Sequence, residues 1–231
     1  MSSDRGGREL LRIIRTVGCG ANCGKTQWLV CCLDFLKRRG FCTLAIKLTP
    51  IRRGKEGLVL EYAPHLLRGG ELIPGAFELI ERLDALLVEG KDTYRMHRGG
   101  ADRVWWVLAD ELVGQEGWGR LRARLEGVKV DYLLLEGGGF FTFMEAEGWS
   151  QKVFLVLDRG EGDWKESTHF WKDRADVVIW NVRSGGLEGV QVDCEGWRGE
   201  VISLCLAAGV EEEVLEDLLL SGFGGEGGEG G

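Results

Sequence analysis

The segment Val17-Gly18-Cys19-Gly20-Ala21-Asn22-Cys23-Gly24-Lys25-Thr26 carries the most specific chemistry in the chain. It lies between an apolar run and an amphipathic one, so a strand enters a glycine-rich turn and a helix leaves it. Backbone N–H groups of such a turn, together with the first turn of the helix, face a phosphate chain. On this reading Gly20, Ala21, Asn22, Cys23, Gly24 and Gln27 line a nucleotide site. Lys25 adds a mobile cation for the β- and γ-phosphates, and the Thr26 hydroxyl is a ligand for Mg²⁺. The usual spacing puts a glycine five residues before Gly24, where this chain has Cys19 flanked by Gly18 and Gly20. The loop is therefore one residue longer than usual or shifted. A turn that needs glycine for geometry alone is the competing reading.

Ligands of open parallel sheets bind outside the carboxyl ends of the strands, so polar residues that end apolar runs are the next candidates. Lys47 ends Thr43-Leu44-Ala45-Ile46 and is expected to place positive charge beside the γ-phosphate or an anionic substrate, with an edge lysine reaching solvent as the competing reading. Glu136 ends Tyr132-Leu133-Leu134-Leu135 and is followed by three glycines; a carboxylate there holds Mg²⁺ or orients a nucleophile. Lys25, Lys47 and Glu136 are thus the catalytic candidates, and Thr26 and Glu136 the metal candidates. Asn181, with Arg183 close behind, ends Val177-Val178-Ile179-Trp180 and either reads a base edge or closes a turn. Asp158 also ends a strand, as a second carboxylate near the metal or as a turn former. Asp92 is either a helix cap or a residue facing the ligand. Cys19 and Cys23 lack a second pair at metal-finger spacing and read as small loop residues. Neither a Ser-His-Asp nor a Cys-His arrangement emerges, because His65, His97 and His169 are scattered.

The elements that must hold these residues follow from periodicity. Strands are expected at residues 10–17, 41–48, 103–108, 130–136, 152–158, 175–181 and 200–204. Helices are expected at 25–39, 76–88, 92–99, 109–125 and 210–220, with an exposed loop near 50–57. Trp105 and Trp106, adjacent on a strand, should point to opposite faces. Strands alternating with helices give an α/β fold with a doubly wound, mostly parallel sheet, in one domain spanning 1–220. Residues 221–231 are glycine and glutamate and read as a disordered tail.

Composition narrows the function further. Of 231 residues, 44% are hydrophobic, enough for a sizeable core. A net charge of −8 argues against coating nucleic acid. No run approaches the roughly 20 apolar residues of a membrane span, and the first eight residues do not resemble a signal sequence. Seven cysteines, an odd number that includes adjacent Cys31 and Cys32, suit reduced thiols and a cytoplasmic setting.

Four segments in order resemble the molybdopterin-guanine dinucleotide biosynthesis accessory family (MobB). They are the Gly-Lys-Thr loop, Gly40 through Ile46-Lys47, Gly90-Lys91-Asp92-Thr93-Tyr94 with Gly100-Ala101, and Val130 through Gly137. The match runs from about residue 12 to 158 and leaves residues 49–90 as an insertion. A second resemblance is to ATP-dependent synthetases of the dethiobiotin synthetase and cobyrinate amidase type. It rests on the loop spacing from Gly18 to Gly24, on Glu136-Gly137-Gly138-Gly139 and on Asn181-Val182-Arg183. That group's Lys-Pro-Val pattern is replaced here by Lys47-Leu48-Thr49-Pro50. The resemblances imply a P-loop NTPase of the SIMIBI type that uses Mg²⁺ and either GTP or ATP. The first implies a slowly hydrolysing homodimeric accessory protein with a partner in cofactor biosynthesis. The second implies a synthetase acting on a carboxylate or amine, and a third option is a scaffold that binds nucleotide without turnover.

Overall fold

The computed structural model describes residues 11–52, 54–110, 113–137, 150–158, 161–182 and 197–221. Arg183 and most of the glycine-glutamate tail lie outside them. Among the described residues eight strands form the main sheet: β1 (Arg12–Gly18), β2 (Thr43–Ile51), β5 (Phe77–Ile80), β6 (Arg103–Asp110), β7 (Tyr132–Glu136), β8 (Gln151–Leu157), β9 (Val177–Asn181) and β10 (Glu200–Leu204). Their order is β10-β9-β8-β1-β7-β2-β6-β5, and every neighbouring pair is parallel except β5 with β6. A small antiparallel pair, β3 (Leu67–Arg68) and β4 (Glu71–Leu72), stands apart.

Successive side chains on a strand point to opposite faces, and here they divide the core in two. Ile14, Ala45, Trp106 and Leu134 pack with Trp28, Leu29, Cys32, Leu33 and Leu36 of α1 (Lys25–Arg38). Their neighbours Ile13, Leu44, Ile46, Trp105, Leu133 and Leu135 pack with Trp118, Leu121 and Leu125 of α5 (Gly114–Leu125). Arg15 shares a face with Ile13, and its guanidinium lies 4.3 Å over the Trp171 ring of α6 (Glu166–Lys172). So α6 covers the same face as α5. Helices α4 (Asp92–Arg98) and α7 (Glu212–Leu220) pack beside α1 on the other. The sheet is doubly wound.

From β1 the chain crosses by α1 toward β2, whereas from β8 it crosses by α6 toward β9, on the opposite face and in the opposite direction. Crossovers of one hand require this, and it opens a crevice at the carboxyl ends of β1 and β8. Helix α1 stops where Lys37 and Arg38 fill its last turn and Gly40 turns to φ 81°. There the amides of Gly40 and Phe41 close on Lys37 and Leu36.

The expected helix over 76–88 is not formed. Phe77–Ile80 is strand β5, antiparallel to β6, and only Leu83–Leu86 is helical, as α3. Apolar residues at 77, 79, 80 and 83 satisfy either period, and the open backbone edge of β6 decides between them. Residues 109 and 110 extend β6 instead of starting α5; the Asp110 carboxylate accepts the Gly75 amide at 2.9 Å. Likewise Pro50 and Ile51 belong to β2, and the loop expected at 50–57 gives way to α2 (Glu56–Tyr62). Tyr62 of that helix meets Trp106 edge-on, with ring centroids 4.8 Å apart.

Candidate functional site

Gly18 closes β1, and the chain then wraps back on itself before α1 begins at Lys25. Asn22 and Gly24 both take left-handed backbone angles, φ 59° and 107°. The loop is held from both sides. Cys19 donates its amide to Val156 at 3.2 Å and accepts the Lys165 amide at 3.4 Å. Asn181 Nδ2 donates to the Cys23 carbonyl at 3.0 Å, while its Oδ1 accepts the Leu206 amide at 3.2 Å. A Cβ on Gly24 would fall 2.5 Å from Asn181 Nδ2, so glycine is required there for space as well as conformation. Lys25 folds back over the loop and donates to the Gly20 carbonyl at 2.5 Å.

Below the loop, four polar side chains converge on the α1 face of the sheet. Lys47 and Glu136 are register partners on β2 and β7, and both share the face of Ala45 and Leu134. Their side chains form an ion pair in which Lys47 Nζ donates to Glu136 Oε1. Lys47 also donates to Asp92 Oδ2 at 2.6 Å, from the start of α4. The Thr26 hydroxyl stands 2.8 Å from Glu136 Oε2 and 2.9 Å from Asp92 Oδ1. The one hydroxyl proton goes to either carboxylate, and Thr26, Asp92 and Glu136 together present three oxygens of the kind a cation takes. Burial would lower the Lys47 pKa, but the Glu136 and Asp92 charges outweigh it and the net shift is upward. For Asp92 burial would raise the pKa, and Lys47 and Thr26 reverse that to give a net lowering.

A cleft of about 1200 Å³ opens over this cluster. Among the described residues six cations line it, Lys25, Lys47, Arg52, Lys55, Arg95 and Lys165, against three carboxylates, Asp92, Glu136 and Glu166. Burial lowers the Lys165 pKa, and the nearby charges of Lys25 and Lys55 add to the effect. A positive cleft on a chain of net charge −8 focuses field on an anionic ligand.

Among the residues expected from sequence, Gly20, Ala21, Asn22, Gly24, Lys25, Thr26, Gln27, Lys47, Glu136 and Asn181 line the cleft. Cys23 is buried beneath the loop. Gln27 Oε1 accepts from Arg95 Nη2 at 2.8 Å, and both polar ends of the Asn181 amide are engaged by the protein.

The chain matches no protein-family model and no curated protein. Among solved structures it is similar to the MinC:MinD cell division protein complex of Aquifex aeolicus. The TM-score is 0.42 at 19% identity, covering 82% of this chain and 79% of that one.

Asp158 sits at the end of β8, where its Oδ1 accepts from Cys19 Sγ at 3.2 Å. Arg95 and Lys165 are cleft residues that sequence reasoning missed. Arg95 had a local signal, since it follows Asp92 by three positions on one helix and so shares its face. Lys165 had none. Among the described residues no cluster of three or more His, Cys, Asp or Glu side chains could hold a metal by itself, and no helix is long and apolar enough to cross a membrane.

Proposed function

We propose that this chain binds a nucleoside triphosphate with Mg²⁺ and hydrolyses it slowly. One observation carries the reading: the Thr26 hydroxyl, at the foot of the glycine loop, sits between the Asp92 and Glu136 carboxylates, which Lys47 bridges. A hydroxyl and one or two carboxylates are the oxygen set that suits Mg²⁺ when phosphate completes it. Thr26, Glu136 and Asp92 would hold the ion, which would neutralise charge between the outer phosphates. Lys25 and the amides of residues 20–24 would hold the phosphate chain, and Asn181 would keep the loop in shape. The four-segment resemblance favours a MobB-like accessory protein, GTP or ATP as the nucleotide, a homodimer, and a partner in molybdenum cofactor maturation.

Calorimetric titration of Mg·ATP and Mg·GTP into the wild type and Lys25→Ala tests the reading. Binding of one nucleotide that vanishes in the variant is expected. Absence of binding by the wild type overturns the proposal.

A second reading is a synthetase in which ATP activates a carboxylate. The cleft favours it, since about 1200 Å³ exceeds the roughly 300–1,000 Å³ of ordinary ligand pockets. Arg52, Lys55 and Lys165 line it together with the loop and leave room for an anionic co-substrate. Such an enzyme would select ATP and hydrolyse it faster when its substrate is added.

A further inference from the structure

Every oxygen of the Asp92 and Glu136 carboxylates is engaged by a group of this chain. Lys47 Nζ donates to Asp92 Oδ2 at 2.6 Å and pairs with Glu136 Oε1. The Thr26 hydroxyl faces the other two oxygens, Asp92 Oδ1 at 2.9 Å and Glu136 Oε2 at 2.8 Å. The four side chains thus close a ring, in which one ammonium cancels one of two carboxylate charges. Thr26 and Glu136 are buried and Lys47 largely so, yet all four side chains line the cleft. Neighbouring ligands of an octahedral ion with bonds of about 2.0–2.1 Å stand about 2.8–3.0 Å apart. The hydroxyl already keeps that spacing from both carboxylates. An ion there and the Lys47 ammonium would share the same two carboxylates, one on each side.

We infer that the Lys47 ammonium opposes a divalent cation at Thr26, Asp92 and Glu136 until a γ-phosphate draws it off, which makes metal binding select triphosphate over diphosphate. The part played by the γ-phosphate rests on the nucleotide reading above; the competition between ammonium and ion does not. Two cations held by the same carboxylates repel each other, and burial keeps water from screening them. An ion that arrives alone also meets carboxylates that already accept charge-assisted hydrogen bonds. A γ-phosphate changes the balance. Lysine carries a compact point charge on a flexible four-carbon stem, so its ammonium can turn from a carboxylate to a phosphate oxygen in the same cleft. Asp92 and Glu136 then face the ion with their full charge. A diphosphate ends one group short, leaves the ammonium on the carboxylates and keeps the ion weakly held. Lys25 acts elsewhere, folded back on the Gly20 carbonyl at 2.5 Å. Lys47 is thereby a specificity-determining residue for the outermost phosphate.

The test titrates manganese, which takes the same oxygen ligands as magnesium, into the full chain without nucleotide and reads the paramagnetic resonance of the free ion. The wild type should hold it weakly. Lys47→Met should hold it about tenfold or more tightly, within the roughly 5–150-fold span of coupled sites. Lys47→Gln repeats the measurement should methionine prevent folding, and Lys47→Arg, which keeps the charge, should bind no better than the wild type. Adding Glu136→Gln to Lys47→Met should abolish the gain. Calorimetry then compares the non-hydrolysable imido analogue of ATP with ADP, and that of GTP with GDP, each with and without magnesium. Magnesium should strengthen triphosphate binding more than diphosphate binding in the wild type, and that difference should shrink about tenfold in Lys47→Met. The inference is overturned when folded variants without the charge bind manganese no better than the wild type, or when the gain survives Glu136→Gln. It is overturned equally when magnesium favours triphosphate to the same degree with and without Lys47. A wild type that binds neither nucleotide would sink the nucleotide reading alone, and the manganese titrations would still decide the competition.

Discussion

Lys47→Met isolates the electrostatics of the polar cluster, because methionine keeps most of the side-chain volume and removes the charge. Glu136 is only 1% exposed and Lys47 19%, so the pair lies in a region where water screens poorly. Removing one partner of a buried pair leaves the other charge uncompensated, at a cost of about 3–5 kcal/mol. Thr26 still supports Glu136 by a hydrogen bond at 2.8 Å, which argues for the lower end, about 3 kcal/mol. At about 2–4 °C per kcal/mol for a domain of this size, the midpoint of thermal unfolding should drop by about 6–12 °C. Adding Glu136→Gln to the variant removes the orphaned charge and should recover part of the loss. Millimolar magnesium should stabilise Lys47→Met more than the wild type, because the ion no longer has to displace the ammonium from Asp92 and Glu136. The assay is thermal unfolding with matched magnesium and sodium chloride. A variant as stable as the wild type, or one with the same response to magnesium, would refute both the energetics and the cation-site assignment.

Asn181→Ala should weaken ATP and GTP binding by the same factor, because one N–H of the amide goes to the Cys23 carbonyl and its oxygen accepts the Leu206 amide, which holds the side chain against the loop. A changed ratio between the two nucleotides, read by calorimetry, would show instead that it contacts the base. Unfolding midpoints measured from pH 3 to 11 should show the cluster at work. The Asp92 pKa is lowered in the fold, so its contribution is present above the unfolded value of about 3.9 and fades as pH falls through its lower folded value. The Lys47 pKa is raised, so its contribution holds below about 10.4 and fades as pH rises through the higher folded value. The stability gap between wild type and Lys47→Met should therefore narrow as pH rises past about 10.4, and narrow again on acidification as the carboxylates that faced the ammonium take up protons. A gap that stays constant across the whole range would contradict the assignment.

Lys25 and Thr26 were legible because their signal is local: an apolar strand, crowded glycines, then a helix. Lys47 and Glu136 were legible one at a time, as charges ending apolar runs. Their opposition in register was not, since it depends on β7 entering between β1 and β2, a pairing that no local pattern encodes. Asp92 stayed open between cap and ligand because only the packing of α4 beside α1 brings it to Thr26. Asn181 has donor and acceptor on one group, and either role fits its type; its partners depend on where β9 and β10 end. Residues 77–80 failed for a different reason. Their apolar spacing satisfies both periods, and an unpaired sheet edge elsewhere in the chain settles the matter.

The clamp on the loop spans almost the whole chain: Cys23 is tied to Asn181, and Asn181 to Leu206. During synthesis from the amino end, the loop leaves the ribosome long before its anchor exists. At about 5–20 residues per second, the interval between residues 24 and 206 lasts roughly 10–40 s. Throughout it, the strand-to-helix turn must survive on its own backbone preferences and on whatever neighbours have already formed. The loop surface proposed to bind the ligand is thus a late product of biogenesis, completed by β9 and β10. A chain halted before residue 181 would carry the whole motif in its sequence and lack the support that shapes it.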